Sequence, residues 1–264
     1  MSTYPKNCME WTFTPVDFFE EPLSITTADY TLEAHNGKAS ATLKPSTLEP
    51  NKAIYARIHQ HLLAHFIGIL VVSHKTFDLS EYITVRIHSD GRRVRHITLR
   101  AGSGTFRISA GTVDFKVTDA AGKTIADTRA DRIASQRRLG ELTDRHRDDD
   151  VANAILASYK SAVNDPPNEL VFLYEIRDTL EAKFHGEKKD ACSQLGISQS
   201  DWNRLSALAN NQPLTQSRHR GCHRARQAGQ LRDPTPSELL QARSIALRMI
   251  KAYLAYLPGP MGRG

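Results

Sequence analysis

Thr128-Arg-Ala-Asp-Arg-Ile-Ala-Ser-Gln-Arg-Arg-Leu-Gly-Glu-Leu-Thr-Asp-Arg-His-Arg-Asp-Asp-Asp150 separates two unlike halves of the chain. Its only large apolar residues are Ile133, Leu139 and Leu142, so it reads as a charged surface helix or linker. The pattern before it is mostly strand. Tyr82-Ile-Thr-Val-Arg-Ile-His88 alternates and is rich in β-branched residues. Residues 30–32 and 39–43 flank His35-Asn36-Gly37, and Asn-Gly is a strong hairpin signal. Ser89-Asp90-Gly91 turns the chain, and residues 94–100, 105–109, 112–118 and 124–127 follow as short strands of an antiparallel meander. One segment departs from this. Over 51–72, Ile54, Ile58, Leu62, Phe66, Ile69 and Leu70 recur at helical spacing, which predicts a helix packed on the sheet.

Beyond the divider the pattern is helical to the end. Helices are expected over 151–163, 168–184 and 188–195, and over 198–209 behind the capping sequence Ser198-Gln-Ser-Asp201. Thr235-Pro-Ser-Glu238 is a capping box with proline at the first helical position, and it opens a last helix running to Leu257. Residues 210–233 have weak periodicity and read as a long loop. The expected fold class is α+β: a β-rich antiparallel N-terminal domain with one packed helix (1–127), a charged connector (128–150), and an all-α helical bundle (151–264).

At 264 residues, 40% hydrophobic and 24% charged, the chain fits one large or two small globular domains, and collagen-like, low-complexity and grossly disordered classes are excluded. Three scattered cysteines (Cys8, Cys192, Cys222) make no disulfide scaffold, and their odd number fits a reducing cytosol. Residues 1–10 lack the apolar core of a secretory signal. The longest apolar run, 66–72, falls far short of the roughly 20 residues that cross a membrane. A cytoplasmic protein without membrane contact is therefore expected. Charge is uneven. Residues 187–264 hold 12 Lys+Arg against 5 Asp+Glu, a balance of +7, whereas the rest of the chain balances at −1. A basic half of this kind suits a polyanion, nucleic acid first, or is simply a solvated basic face.

Within that half, Ser217-Arg-His-Arg-Gly-Cys-His-Arg-Ala-Arg-Gln-Ala-Gly-Gln-Leu-Arg232 holds five arginines, two histidines and no acid. Arginine offers a planar fork of donors to phosphate. Histidine transfers protons near neutral pH. Cleavage of RNA by its own 2′-hydroxyl needs proton transfer and stabilisation of the phosphorane charge, and no metal or other cofactor. Arg218, His219 and His223 are the candidate catalytic residues, with Arg220, Arg224, Arg226, Arg232 and Arg204 as candidate nucleic-acid ligands. The same loop could instead cover the bundle end or pair with acids on a partner. Glu175 and Asp178, one turn apart on the second bundle helix, either orient this loop or face solvent.

Arg218-His-Arg-Gly-Cys-His223 has the form arginine, four residues, histidine, and it precedes the last helix of an all-α domain. This resembles the HEPN superfamily (higher eukaryotes and prokaryotes nucleotide-binding domains), whose members are often metal-independent RNases of toxin and anti-phage systems acting as dimers. The resemblance covers residues 151–257. It implies that Arg218 binds the scissile phosphate, that His223 is the general acid/base with His219 competing for that role, and that a homodimer builds a composite site on RNA. The motif of the family sits on or against a helix, whereas the sequence around Gly221 suggests a loop.

A second pattern competes. Residues 191–205 resemble a helix-turn-helix, with Gly196 as the turn glycine and Ile197, Trp202 and Leu205 as core positions. Gln199, Ser200, Asn203 and Arg204 would then face DNA bases, in a DNA-binding regulator. Asp201 would oppose phosphate, and an ordinary pair of bundle helices fits the same sequence. A non-enzymatic interaction protein with a basic tail is the third reading. His61 and His65 stand at i,i+4 but lack a further ligand, and His219, Cys222 and His223 lack a Cys-x-x-Cys pair, so no metal site is expected. The phosphate-loop, dinucleotide and nucleophile-elbow signatures are absent from the sequence.

Overall fold

A computed structural model describes residues 6–45, 52–88, 92–96, 114, 116–118, 123–221 and 231–258. The fold is α+β, as expected. It comprises two compact units, one of Met1–Ile69 with Lys75–Arg137, the other of Leu70–His74 with Arg138–Gly264.

In the first unit, strands β1 (Lys6–Thr14), β2 (Leu23–Thr26), β3 (Tyr30–His35), β4 (Lys38–Leu43), β5 (Asp78–Leu79), β6 (Ile83–Ile87) and β7 (Arg93–His96) join one sheet. Its order is β2-β3-β4-β1-β6-β7, with β5 also on β1, and every pairing is antiparallel. The Asn36-Gly37 hairpin forms as expected, with both residues at positive φ (49° and 75°). Gly37 is further required by proximity: a Cβ there would lie 2.9 Å from Val16 Cγ1 and 3.3 Å from the Phe13 carbonyl oxygen.

Helix α1 (Lys52–Ser73) covers one sheet face. Met9, Trp11 and Phe13 of β1 alternate inward to meet Ile58, Leu62, Phe66 and Ile69. Phe66 is the centre of this core, its ring centroid 4.8–5.2 Å from those of Phe13, Phe18, Phe19 and Phe77. His61 links α1 to the sheet: its Nδ1 lies 2.6 Å from the Tyr30 hydroxyl. Among the described residues no three metal-ligating side chains gather.

The expected meander is only partly realised. β8 (Lys116–Thr118) and β9 (Thr124–Asp127) form a separate two-stranded sheet. The expected strand at 105–109 lies outside the described residues, as do parts of those at 94–100 and 112–118.

The connector is helical. α2 (Thr128–Arg145) runs from the first unit into the second. In the first unit Arg132 holds Glu20 (Nε to Oε1, 2.8 Å) and Asp114 (Nη2 to Oδ2, 2.7 Å). The bond from Arg132 keeps the Glu20 carboxyl below its usual range. Ile133, Leu139 and Leu142, the apolar residues noted in the sequence, are all buried.

The second unit contains α3 (Asp150–Asn164), α4 (Glu169–Lys183), α5 (Lys188–Leu195), α6 (Gln199–Ser206) and α7 (Pro236–Tyr256), close to the expected spans. The caps explain the boundaries. Asp149 accepts a bond from the Ala152 amide, and Ser198 from that of Asp201. Thr235 and Glu238 form both bonds of the capping box. Gly196 ends α5 in the left-handed region at φ 63°.

Two expectations change here. The helix begun at Gln199 does not stop at a loop but passes into a π turn, Ala207–Asn211. The segment after it is not wholly a loop either: the backbone turns helical at Arg220 and Gly221. Its two ends are tied by a parallel bridge between Leu214 and Arg232 and by a 2.7 Å bond from Thr215 Oγ1 to Asp233 Oδ1.

Candidate nucleic-acid interface

The site is laid out on α4, where Tyr174, Arg177, Asp178 and Glu181 share one stripe at the i, i+3, i+4, i+7 spacing. Opposite them the chain leaves the π turn and buries Leu214 and Ser217 completely. The amide of Arg218 donates to the Ala209 carbonyl at 2.8 Å, which fixes the backbone where the arginine projects. The Arg218 guanidinium then lies over the Tyr174 ring, 4.7 Å from its centroid, and Nη1 donates to Asp178 Oδ2 at 2.8 Å.

Arg177 reaches the same place. Its guanidinium lies 4.9 Å from the Tyr174 centroid and 5.3 Å from that of Trp202. It donates to the Tyr174 hydroxyl and to Asp178 Oδ1 at 3.0 Å, and its Nη2 forms an ion pair with Glu181 Oε2 at 2.7 Å. Arg220, two residues past Arg218, donates to Asn168 Oδ1 at 2.8 Å. His219 is exposed between these arginines.

The candidate residues therefore divide. Arg218, His219 and Arg220 lie together beside α4. His223, Arg224 and Arg226 are outside the described residues. Arg232 is turned away by a bidentate pair with Glu238 (both bonds 2.7 Å), which pulls the Glu238 carboxyl down to about 2. Arg204 donates to Gln241 on α7 at 2.7 Å. Of the two acids, Asp178 orients Arg218, whereas Glu175 accepts from Ser158 on α3 at 3.3 Å. Sequence reasoning passed over Tyr174 and Arg177. The signal was present as a Tyr-x-x-Arg-Asp-x-x-Glu stripe, whose meaning depends on what lies opposite it.

The α5–α6 pair does form a helix, a left-handed glycine and a second helix, with Ile197, Trp202 and Leu205 buried. Its polar face is exposed, and part of it is paired with neighbouring side chains. Asp201 pairs with Arg248 at 2.9 Å, Arg204 with Gln241, and Asn203 accepts from Lys188 at 2.6 Å. A base-reading role would require Arg204 and Asn203 to leave those partners.

No family model, no curated protein and no solved structure matches the chain. Among the described residues no helix is long and apolar enough to cross a bilayer.

Proposed function

We propose that the helical unit is a HEPN-like domain that binds RNA and cleaves it without a metal, in a bacterial anti-phage or toxin effector. The observation that carries this reading is the fixing of Arg218. Its backbone is anchored at Ala209, its guanidinium is stacked on Tyr174 and aligned by Asp178, and His219 and Arg220 follow in sequence. Preset orientation is what a phosphate ligand needs, because less rotamer freedom is lost when the anion arrives.

In this reading the RNA 2′-hydroxyl attacks phosphorus and gives its proton to a histidine, His223 or His219. The P–O5′ bond breaks, and the leaving oxygen takes a proton from a second general acid. The products are a 2′,3′-cyclic phosphate and a 5′-hydroxyl. Arg218 neutralises the charge on the phosphorane oxygens. A homodimer supplies the second acid by bringing two such motifs together.

The test is cleavage of RNA in EDTA by the full chain beside Arg218→Ala, His219→Ala and His223→Ala. Loss of about 100-fold or more in Arg218→Ala and in one histidine variant, with unchanged melting temperature, is expected. Cleavage equal in all four proteins overturns the assignment. Absence of cleavage, together with duplex-DNA binding that Arg204→Ala weakens, transfers the function to a DNA-binding regulator.

A further inference from the structure

We propose that Tyr174, Arg177 and Arg218 form a phosphate-binding site that the carboxylate of Asp178 occupies until a ligand displaces it. This rests on the reading that Arg218 meets phosphate. It goes further by assigning Arg177 as a second phosphate ligand and Asp178 as an internal competitor.

The geometry is that of an anion site already holding an anion. The two oxygens of Asp178 are taken by two different guanidiniums, Oδ1 by Arg177 at 3.0 Å and Oδ2 by Arg218 at 2.8 Å. Both guanidiniums rest on one ring, at 4.7 and 4.9 Å from the Tyr174 centroid. An arginine fork suits carboxylate and phosphate alike, so a phosphate can span the same two donors.

Burial separates the fixed Arg177 from the more open Arg218 and Asp178, at 38% and 42% exposure. The Arg177 side chain is 12% exposed and is held independently of Asp178, by Glu181 and by the Tyr174 hydroxyl. Asp178, at 42% exposure, sits on the open side and can swing into water. Charge points the same way. Arg177, Arg218, Asp178 and Glu181 cancel as a group. Once Asp178 turns out, one positive charge is left uncompensated at the two donors, and a bound phosphate neutralises it. The contact thus keeps Arg218 ordered and masked in the free protein.

The experiment is a titration of the full chain with inorganic pyrophosphate at low salt, followed by calorimetry. Trp202 fluorescence in a Trp11→Phe background gives a second readout, since Arg177 lies against the Trp202 ring. Asp178→Asn, which keeps shape and removes the charge, is expected to tighten pyrophosphate by about tenfold or more. Arg177→Gln in that background is expected to cancel the gain.

The proposal is overturned if Asp178→Asn, or Asp178→Ser should the first fail to fold, leaves affinity unchanged or lowers it. Asp178 is then only an anchor for Arg218. It is overturned in its second part if Arg177→Gln does not reduce the tightened affinity. Cleavage is measured on the same proteins and reports separately. Tightening without any RNA cleavage retains the phosphate site and removes the nuclease reading. Cleavage with no change in pyrophosphate affinity does the reverse.

Discussion

Arg243 grips Glu169 through two parallel hydrogen bonds, Nε to Oε1 at 2.5 Å and Nη2 to Oε2 at 2.7 Å, and this carboxylate is 1% exposed. The pair joins α4 to α7 in the interior of the second unit. A buried ion pair costs desolvation when made, but loss of one partner strands the other charge. Arg243→Ala is expected to destabilise the fold by about 3–5 kcal/mol. Arg243→Met with Glu169→Leu should recover much of that loss. Urea denaturation of the three proteins checks it, and equal stability of Arg243→Ala and wild type would contradict the account.

His74, in the same unit, gives a pH dependence. Its Nδ1 lies 3.4 Å from the Tyr159 hydroxyl and its Nε2 3.6 Å from Glu169. Glu169 is already taken by Arg243, so burial first and the Arg243 charge second bring the imidazole down to about 4 from its ordinary 6.5. With the folded value depressed, stability is complete above 6.5 and is lost as pH falls from there toward 4, because the unfolded chain binds the proton first. The loss is on the order of 3 kcal/mol. Stability curves at pH 7 and pH 4.5 should converge in part for His74→Gln, and a parallel pH dependence in that variant would refute the assignment.

The capping box at α7 is the third case. Thr235→Ala removes the acceptor for the Glu238 amide and should cost about 1 kcal/mol. Glu238 keeps its charge in the folded protein down to about 2, whereas the unfolded chain takes up a proton near the ordinary 4.5, so the stability that the Arg232 pair and the cap supply is lost as pH falls through that window. Thermal melts of Thr235→Ala and Thr235→Ser separate the hydroxyl from the methyl group. Serine should keep the stability and alanine should not.

In the first unit Phe66→Ala opens a cavity bounded by four other phenylalanine rings. The expected cost is about 3–5 kcal/mol. Phe66→Leu should cost much less. Chemical denaturation checks both, and a cost below about 1 kcal/mol for alanine would mean that the aromatic cluster is not the core.

Legibility in the sequence followed the range of each interaction. Helix starts at Gln199 and Pro236 were visible because Ser198 and Thr235 act within four residues. The Asn36-Gly37 hairpin was visible for the same reason. The central strand β1 carried no turn signal before it, and its place between β4 and β6 depends on partners about 30 and 75 residues away, such as Thr42 and Val85 opposite Cys8. The site shows the same division. Arg218, His219 and Arg220 stood out by composition. The choice between Asp178 and Glu175, and the involvement of Arg177, depended on which flank of α4 faces residue 218, and no local pattern encodes that.

The bridge between Leu214 and Arg232 uncouples the length of the intervening segment from the bundle. With the two ends fastened, added or deleted residues between them bear only a closure entropy that grows slowly, about 0.6 kcal/mol per doubling of length. The fastening holds the backbone where Ser217 is buried and Arg218 is seated on Tyr174, so α4, α7 and that arginine keep their places whatever the length of the chain that follows it.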